Sequence, residues 1–186
     1  MKLPILSPVL AFVLGSCWSA SGATITLSIL PPPPISVTNG QSVSFMLEIS
    51  GHTPGNAPSV GAFDLTVGFN PNLLMPTGVV FGPFLGNAGL FEALESSTIM
   101  SNQVNVAEVS LLPSTSLDTL QPAAFSLATL SFTAKASGTA SLGFTAGVVD
   151  DAFGNKLTSI PEPDTLWVVA SAGLALLARR RLRITN

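Results

Sequence analysis

The chain has 186 residues, of which only seven are basic and ten acidic, while 47% are apolar and none is tyrosine. So apolar a composition excludes a disordered chain, and so few cations exclude a nucleic-acid binder. Lys2, Arg179, Arg180, Arg181 and Arg183 stand near the two ends, and between Thr24 and Ile160 Lys135 and Lys156 face Glu48, Asp64, Glu92, Glu95, Glu108, Asp118, Asp150 and Asp151, a net charge of −6 that also excludes a phosphate-binding surface there.

Residues 1–23 open with Lys2, continue through an apolar run from Leu3 to Gly15, and end in the small residues Ser19, Ala20, Ser21, Gly22 and Ala23. One cation, a short apolar core and a site that a peptidase can enter describe a secretory signal peptide, cleaved by signal peptidase after Ala23. Leu14-Gly15-Ser16-Cys17 also resembles a lipobox, so lipidation of Cys17 is the alternative outcome. Cleavage after Ala23 removes the only cysteine, and the exported domain must then hold together by core packing without a disulfide.

From residue 24 to 159 the pattern is that of one all-β domain, about 140 residues long and enough for one core. Ile25, Leu27 and Ile29 alternate with Thr24, Thr26 and Ser28, and Pro31 to Pro34 then break the strand because proline donates no ladder hydrogen bond. Asn39-Gly40 is a hairpin signal between Val37 and Val43. Val43, Phe45, Leu47 and Ile49 form one apolar face, as do Phe63, Leu65, Val67 and Phe69, and Ala140, Leu142, Phe144 and Ala146. In Phe125 to Phe132 the apolar phase slips by one residue, which predicts a bulge or a strand covered on both sides. The only helical candidate is Asn87 to Glu95, as a helix or a single turn. Strands with one wet face imply two packed antiparallel sheets.

The C-terminus reads Ile160-Pro161-Glu162-Pro163-Asp164, then an uncharged stretch over 165–178, then Arg179-Arg180-Arg181-Leu182-Arg183. As a helix that stretch would measure about 21 Å against a hydrocarbon core of about 30 Å, so it suits transient contact with the inner membrane better than permanent spanning. The arginines would stay on the cytoplasmic side and leave the domain outside.

These three parts in this order resemble the PEP-CTERM sorting signal, over residues 160–183. The resemblance implies recognition by an exosortase, a membrane-embedded cysteine protease or transpeptidase of exopolysaccharide-producing Gram-negative bacteria. Pro161, Glu162, Pro163, Arg179, Arg180 and Arg181 would carry the sorting. Processing near Pro161-Glu162-Pro163 would move a membrane-tethered precursor to the cell surface or the extracellular matrix.

A second resemblance lies in the middle. Val60 to Leu74, an amphipathic strand running into Asn70-Pro71-Asn72-Leu73-Leu74, is similar to the second-strand signature of cohesin-type domains. Phe125 to Phe132, Gly138 to Leu142 and Val149 to Leu157 are similar to that family's closing strands and last Asp/Gly/Asn turn. The resemblance implies a nine-stranded jelly-roll sandwich of the kind shared by cohesins and some carbohydrate-binding modules. Asn70 stands where the family usually has aspartate.

Little in the sequence carries chemistry. His52 is the only histidine, set in the loop-like His52-Thr53-Pro54-Gly55-Asn56, where an exposed side chain is expected; zinc sites and Ser-His or Cys-His pairs cannot be assembled from it. Glu92 with Glu95 would share a solvated face if that segment is helical. Asp150, Asp151 and Asn155 supply three side-chain oxygens in Asp-Asp-Ala-Phe-Gly-Asn, short of the six to eight that Ca²⁺ takes, which leaves a weak calcium site beside the simpler reading of a β-turn. Trp18 and Trp167 lie in the terminal segments, so a stacking platform for sugars is missing from the domain. The expected function is therefore that of a non-catalytic exported surface or matrix protein, sorted by an exosortase and associated with exopolysaccharide. The alternative is a cohesin-type binding module using one sheet face for a dockerin-like protein or a polysaccharide.

Overall fold

The computed structural model describes residues 25–160. Segment 1–23, expected to be a signal peptide cleaved after Ala23, and Pro161, Glu162, Pro163, Arg179, Arg180 and Arg181, expected to carry sorting, lie outside them. The strands in chain order are β1 (Thr26–Leu30), β2 (Ile35–Val37), β3 (Ser42–Ser50), β4 (Val60–Phe69), β5 (Leu74–Phe81), β6 (Ala93–Ile99), β7 (Gln103–Ser110), β8 (Ala124–Ala134), β9 (Gly138–Ala140), β10 (Leu142–Asp151) and β11 (Lys156–Ile160). A 3₁₀ turn, Ala88–Leu90, precedes β6, and one helix, α1 (Ser114–Leu120), lies between β7 and β8.

Two antiparallel sheets form the jelly-roll sandwich, one of four strands in the order β1-β3-β8-β5 and one of five in the order β11-β10-β4-β7-β6. These are the nine strands expected, and β2 with β9 adds a two-stranded ribbon. The alternating residues meet between the sheets: Phe45, Leu47 and Ile49 from one, Phe63, Leu65 and Val67 from the other, all buried. Phe132 on β8 stands edge-on to Phe45 in its own sheet, with ring centres 6.0 Å apart, and to Phe69 in the opposite sheet at 5.3 Å.

The phase slip in β8 is a bulge: pairing with β3 passes from Leu47–Ala128 to Glu48–Ser126, so Leu127 is the extra residue, and Leu127 and Ala128 are both buried. Three expectations are corrected. Asn39-Gly40 does not close a hairpin, because β2 pairs with β9 and β3 pairs with β1 and β8; the turn is a corner between ribbon and sheet, with Gly40 at φ 81°. Ala146 does not share a face with Phe144, because a bulge at Thr145 pairs Ala146 with Thr66 on the outer side and turns Gly147 inward. A Cβ on Gly147 would stand 2.6 Å from Leu65 Cδ2 and 3.1 Å from Asp64 O, so any larger residue must displace the buried Leu65 side chain. Asn87 to Glu95 contains a single turn, one of the two forms expected for it, at Ala88–Leu90, with Glu95 in β6, but it is not the only helical segment, because α1 forms over Ser114–Leu120.

The helix that does form, Ser-Thr-Ser-Leu-Asp-Thr-Leu, has poor intrinsic propensity, and Leu117 is its one buried residue. Gln121 follows it and is buried. Its Nε2 donates to Val60 O at 2.8 Å and to Phe84 O at 3.2 Å, and its Oε1 accepts from Val60 N at 2.8 Å, so one side chain continues the backbone pairing at the start of β4. Gln121→Leu keeps the bulk and leaves these groups without partners, so urea denaturation should show a loss of about 2–4 kcal/mol; an unchanged midpoint would mean that the clamp is dispensable.

Candidate functional site

The outer face of the five-stranded sheet departs from the composition of a solvated sheet. The register runs Leu94–Val109–Ala62–Asp150–Lys156 across all five strands. Leu94 is 61% and Val109 46% exposed, so the β6–β7 end of this row is apolar, while Asp150 and Lys156 place opposite charges at the other end. Leu111, just past β7, is exposed beside them, and its N–H bonds Glu92 O at 2.7 Å. One row down, Asp64 is exposed, and Asn105 Nδ2 donates to its Oδ1 at 2.6 Å and to Thr66 Oγ1 at 3.2 Å, which fixes the polar middle of the face. A shallow hollow of about 180 Å³ lies where the face meets α1, lined by Ala62, Val109, Leu112, Leu117, Asp150 and Gly154 among others.

The Asp150, Asp151 and Asn155 segment forms one rim of that hollow. Asp151 Oδ1 accepts from the backbone N–H groups of Phe153 and Asn155, both at 2.8 Å, and Oδ2 accepts from Asn155 Nδ2 at 2.9 Å. Burial alone would raise the Asp151 pKa, but these donors bring it below the ordinary carboxylate value. The carboxylate is thus spent on N–H donors and builds the β10–β11 turn, which supports the β-turn reading over a calcium loop. Among the described residues no group of three or more His, Cys, Asp or Glu side chains is placed to hold a metal ion. The turn presents Phe153, which is 72% exposed.

Glu92 and Glu95 are not a helical pair. Glu92 Oε2 accepts from Asn87 N–H at 3.1 Å and braces the 3₁₀ turn, while Glu95 lies opposite Glu108 in the β6–β7 ladder. Glu108 is the carboxylate that matters to the domain's physics: it continues the inward row of Val104 and Val106, is fully buried, and has no hydrogen-bond partner on either oxygen. Burial, with the Glu95 charge adding to it, pushes its pKa up to about 8, so it is a neutral acid at pH 7. The period-two spacing Val104, Val106, Glu108 was the signal in the sequence that could have placed it inside.

His52 is a correction: it is 6% exposed, not a surface loop residue. Its ring stands edge-on to Phe125 at 6.3 Å, and its Nε2 is buried without a partner. Burial lowers its pKa, against a smaller opposing effect of Asp118, so the ring is neutral at pH 7. A hollow of about 620 Å³ beside it, lined by Thr53, Asn56 and Lys156 among others, contains no carboxylate to pair with it.

No protein-family model matches the chain, and no curated protein sequence does. Solved cohesin modules match it in structure. A non-cellulosomal cohesin from the archaeon Archaeoglobus fulgidus superposes with a TM-score of 0.51 at 18% identity, covering 73% of this chain and 84% of that one. A type II cohesin domain from the cellulosome of Acetivibrio cellulolyticus gives 0.54 at 16% identity, covering 72% and 87%. The type I cohesin–dockerin complex Coh-OlpA–Doc918 of Clostridium thermocellum gives 0.55 at 14% identity, covering 75% and 93%. Residues 25–160 therefore have the cohesin fold.

Glu108 also sets a pH dependence. Its proton stays bound in the folded protein up to about pH 8 but leaves the unfolded chain near its ordinary value, 4.5. Its contribution is therefore fully present below pH 4.5 and is lost as pH rises through 8, by on the order of 4 kcal/mol in total. Thermal melts should show Glu108→Gln with a flatter profile between pH 5 and 8 than the parent and a higher Tm at pH 8; parallel profiles would refute the assignment.

Proposed function

We propose that residues 25–160 form a non-catalytic protein-binding module whose partner docks on the outer face of the five-stranded sheet. The observation that carries this reading is the exposed apolar row of Leu94 and Val109, extended by Leu111, on a sheet face where alternation would put polar side chains. Similar folds occur in solved cohesin–dockerin complexes, which supports a protein partner of the dockerin kind over a sugar. The lack of tryptophan and tyrosine over 25–160 argues the same way. A fitting partner brings an apolar ridge to Leu94 and Val109 and a basic group to Asp64. Nucleic acid, a catalytic role and a resident cofactor have no support in a domain this acidic and this poor in paired titratable groups.

Calorimetric titration against dockerin modules of the source organism tests this. The doubly substituted Leu94→Lys, Val109→Lys chain should bind at least tenfold more weakly with an unchanged Tm, because both side chains are already exposed. Saturable binding to polysaccharide with silent dockerins would overturn the protein-binding reading.

The sequence supports a second, compatible element. Residues 160–183 resemble a PEP-CTERM signal, and residues 1–23 read as a signal peptide. On this reading the protein is exported, held at the inner membrane through its C-terminus, processed by an exosortase, and displayed at the cell surface or in an exopolysaccharide matrix. Replacing Pro161, Glu162 and Pro163 by alanine should leave an unprocessed, membrane-bound precursor. Intact-mass measurement of surface and membrane fractions decides the matter, and an unchanged mature mass would sink the sorting role.

A further inference from the structure

Each sheet of the sandwich has two edges, and they are not alike. Edge strands expose a row of unpaired N–H and C=O groups, and proteins usually blunt them with proline, lysine, bulges or short length. β5 carries Pro76 and a bulge between Pro76 and Gly78. β1 is five residues long and runs into Pro31 to Pro34. β11 is also five residues long, begins at Lys156, and meets a bulge between Val149 and Asp150. β6, Ala-Leu-Glu-Ser-Ser-Thr-Ile, has none of these: seven residues in unbroken register with β7, without proline or lysine, and exposed at every position after Ala93.

The direction of its free groups follows from the ladder. Glu92 O accepts from Leu111 N–H at 2.7 Å and Met100 N–H donates to Gln103 O at 2.8 Å, and both pairs fall in the β6–β7 register. Hydrogen-bonded and open pairs alternate along an antiparallel ladder, so the even-numbered residues of β6 bond to β7. Ala93, Glu95, Ser97 and Ile99 therefore direct their N–H and C=O groups away from the sheet.

We propose that β6 pairs with β6 of a second copy of this chain, antiparallel about Ser96, joining two five-stranded sheets into one. In this register Ala93 stands opposite Ile99 and Glu95 opposite Ser97, so every outward-directed residue exchanges both backbone bonds with its opposite. Shifting the axis to Glu95 would set two carboxylates face to face, and shifting it to Ser97 would shorten the overlap. Charge and length thus select one pairing. A small residue meets a large one at each end, and a hydroxyl donor meets each Glu95 carboxylate. On the outer face Leu94 lies opposite Thr98 of the second copy, so the apolar rows of the two copies fall on one continuous surface. A different strand-forming peptide as the occupant is an outcome that the experiment below would reveal as a failure of this register.

The axis gives a direct test. Ser96 faces its own copy in an open pair, with Cα atoms about 4.5 Å apart, which suits a disulfide. The Thr98 positions of the two copies lie about 13 Å apart. In the full-length chain carrying Cys17→Ser, so that the added thiol is unique, Ser96→Cys should form a covalent dimer under mild oxidation and Thr98→Cys should not. Sedimentation of the chain without added thiols should show a dimer at tens of micromolar, as a small interface implies. Ser97→Pro removes an N–H that the monomer does not use, and should raise the dimer dissociation constant at least tenfold with the far-ultraviolet spectrum unchanged. The proposal is overturned if Ser96→Cys stays monomeric, if Thr98→Cys crosslinks as readily, or if Ser97→Pro associates as tightly as its parent. None of these outcomes depends on the dockerin-type partner.

Discussion

The fold depends on the packing of two apolar sheet faces, and an aromatic cluster lies at its centre. Phe132 packs edge-on against Phe45 beside it and Phe69 across from it, so one ring ties β3, β8 and β4 together. The described residues contain no cysteine, so no disulfide can share this task. A buried aromatic contributes about 3–5 kcal/mol against truncation, a large part of a net stability of about 5–15 kcal/mol. Such a contact also sets register, because moving any of the three strands by one residue would carry its whole apolar set to the solvent side.

Fixing the inner faces fixes the outer ones. On the four-stranded sheet the outward residues of β3 and β8 are largely hydroxyls, with Ser44 and Ser131 Oγ atoms 3.3 Å apart and Ser28 bonded to Glu48 at 3.4 Å. Such pairs satisfy part of that face. On the five-stranded sheet the same alternation brings Leu94 and Val109 to the surface, next to the hollow under α1. The two faces are products of one register, and each leaves apolar area uncovered, Met75 and Val80 on β5 of the first and Leu94 and Val109 on the second.

Much of this was legible in the residues. Alternation in Ser42 to Ile49 and in Ala62 to Phe69 gave strands, faces and core, because burial on one side imposes a period of two. The slipped phase in Phe125 to Phe132 gave the β8 bulge. What escaped was decided by contacts far away in sequence. The Asn39-Gly40 signal describes a local turn but cannot name the partners of the strands it joins, and β2 pairs with a segment about 100 residues later. His52 and Gln121 are polar residues in loop-like context, and only the packing of Phe125 on one and Val60 on the other encloses them. α1 was invisible because Ser, Thr and Asp dominate it and one leucine anchors it. At the candidate site the alternation of β7 passed unread, and no local signal says which strands flank it, so the row from Leu94 to Asp150 could not be drawn.

Local rules of good packing are broken at one corner of the molecule more than elsewhere. β6 is an edge strand without a guard, Leu94 and Val109 expose apolar area on its outer side, and Glu108 lies buried and unpaired on its inner side, opposite Glu95. Each departure carries a free-energy cost that selection for folding alone would remove: an unpaired edge invites aggregation, exposed leucine and valine lower solubility, and a buried acid weakens the fold as pH rises. Three unrelated costs spread over a domain would mean little. Three costs that converge on β6 and β7, while the edges of the opposite sheet are blunted by Pro76 and by Pro31 to Pro34, describe a surface shaped by something outside the monomer, since conflicts between local and global consistency persist where function requires them.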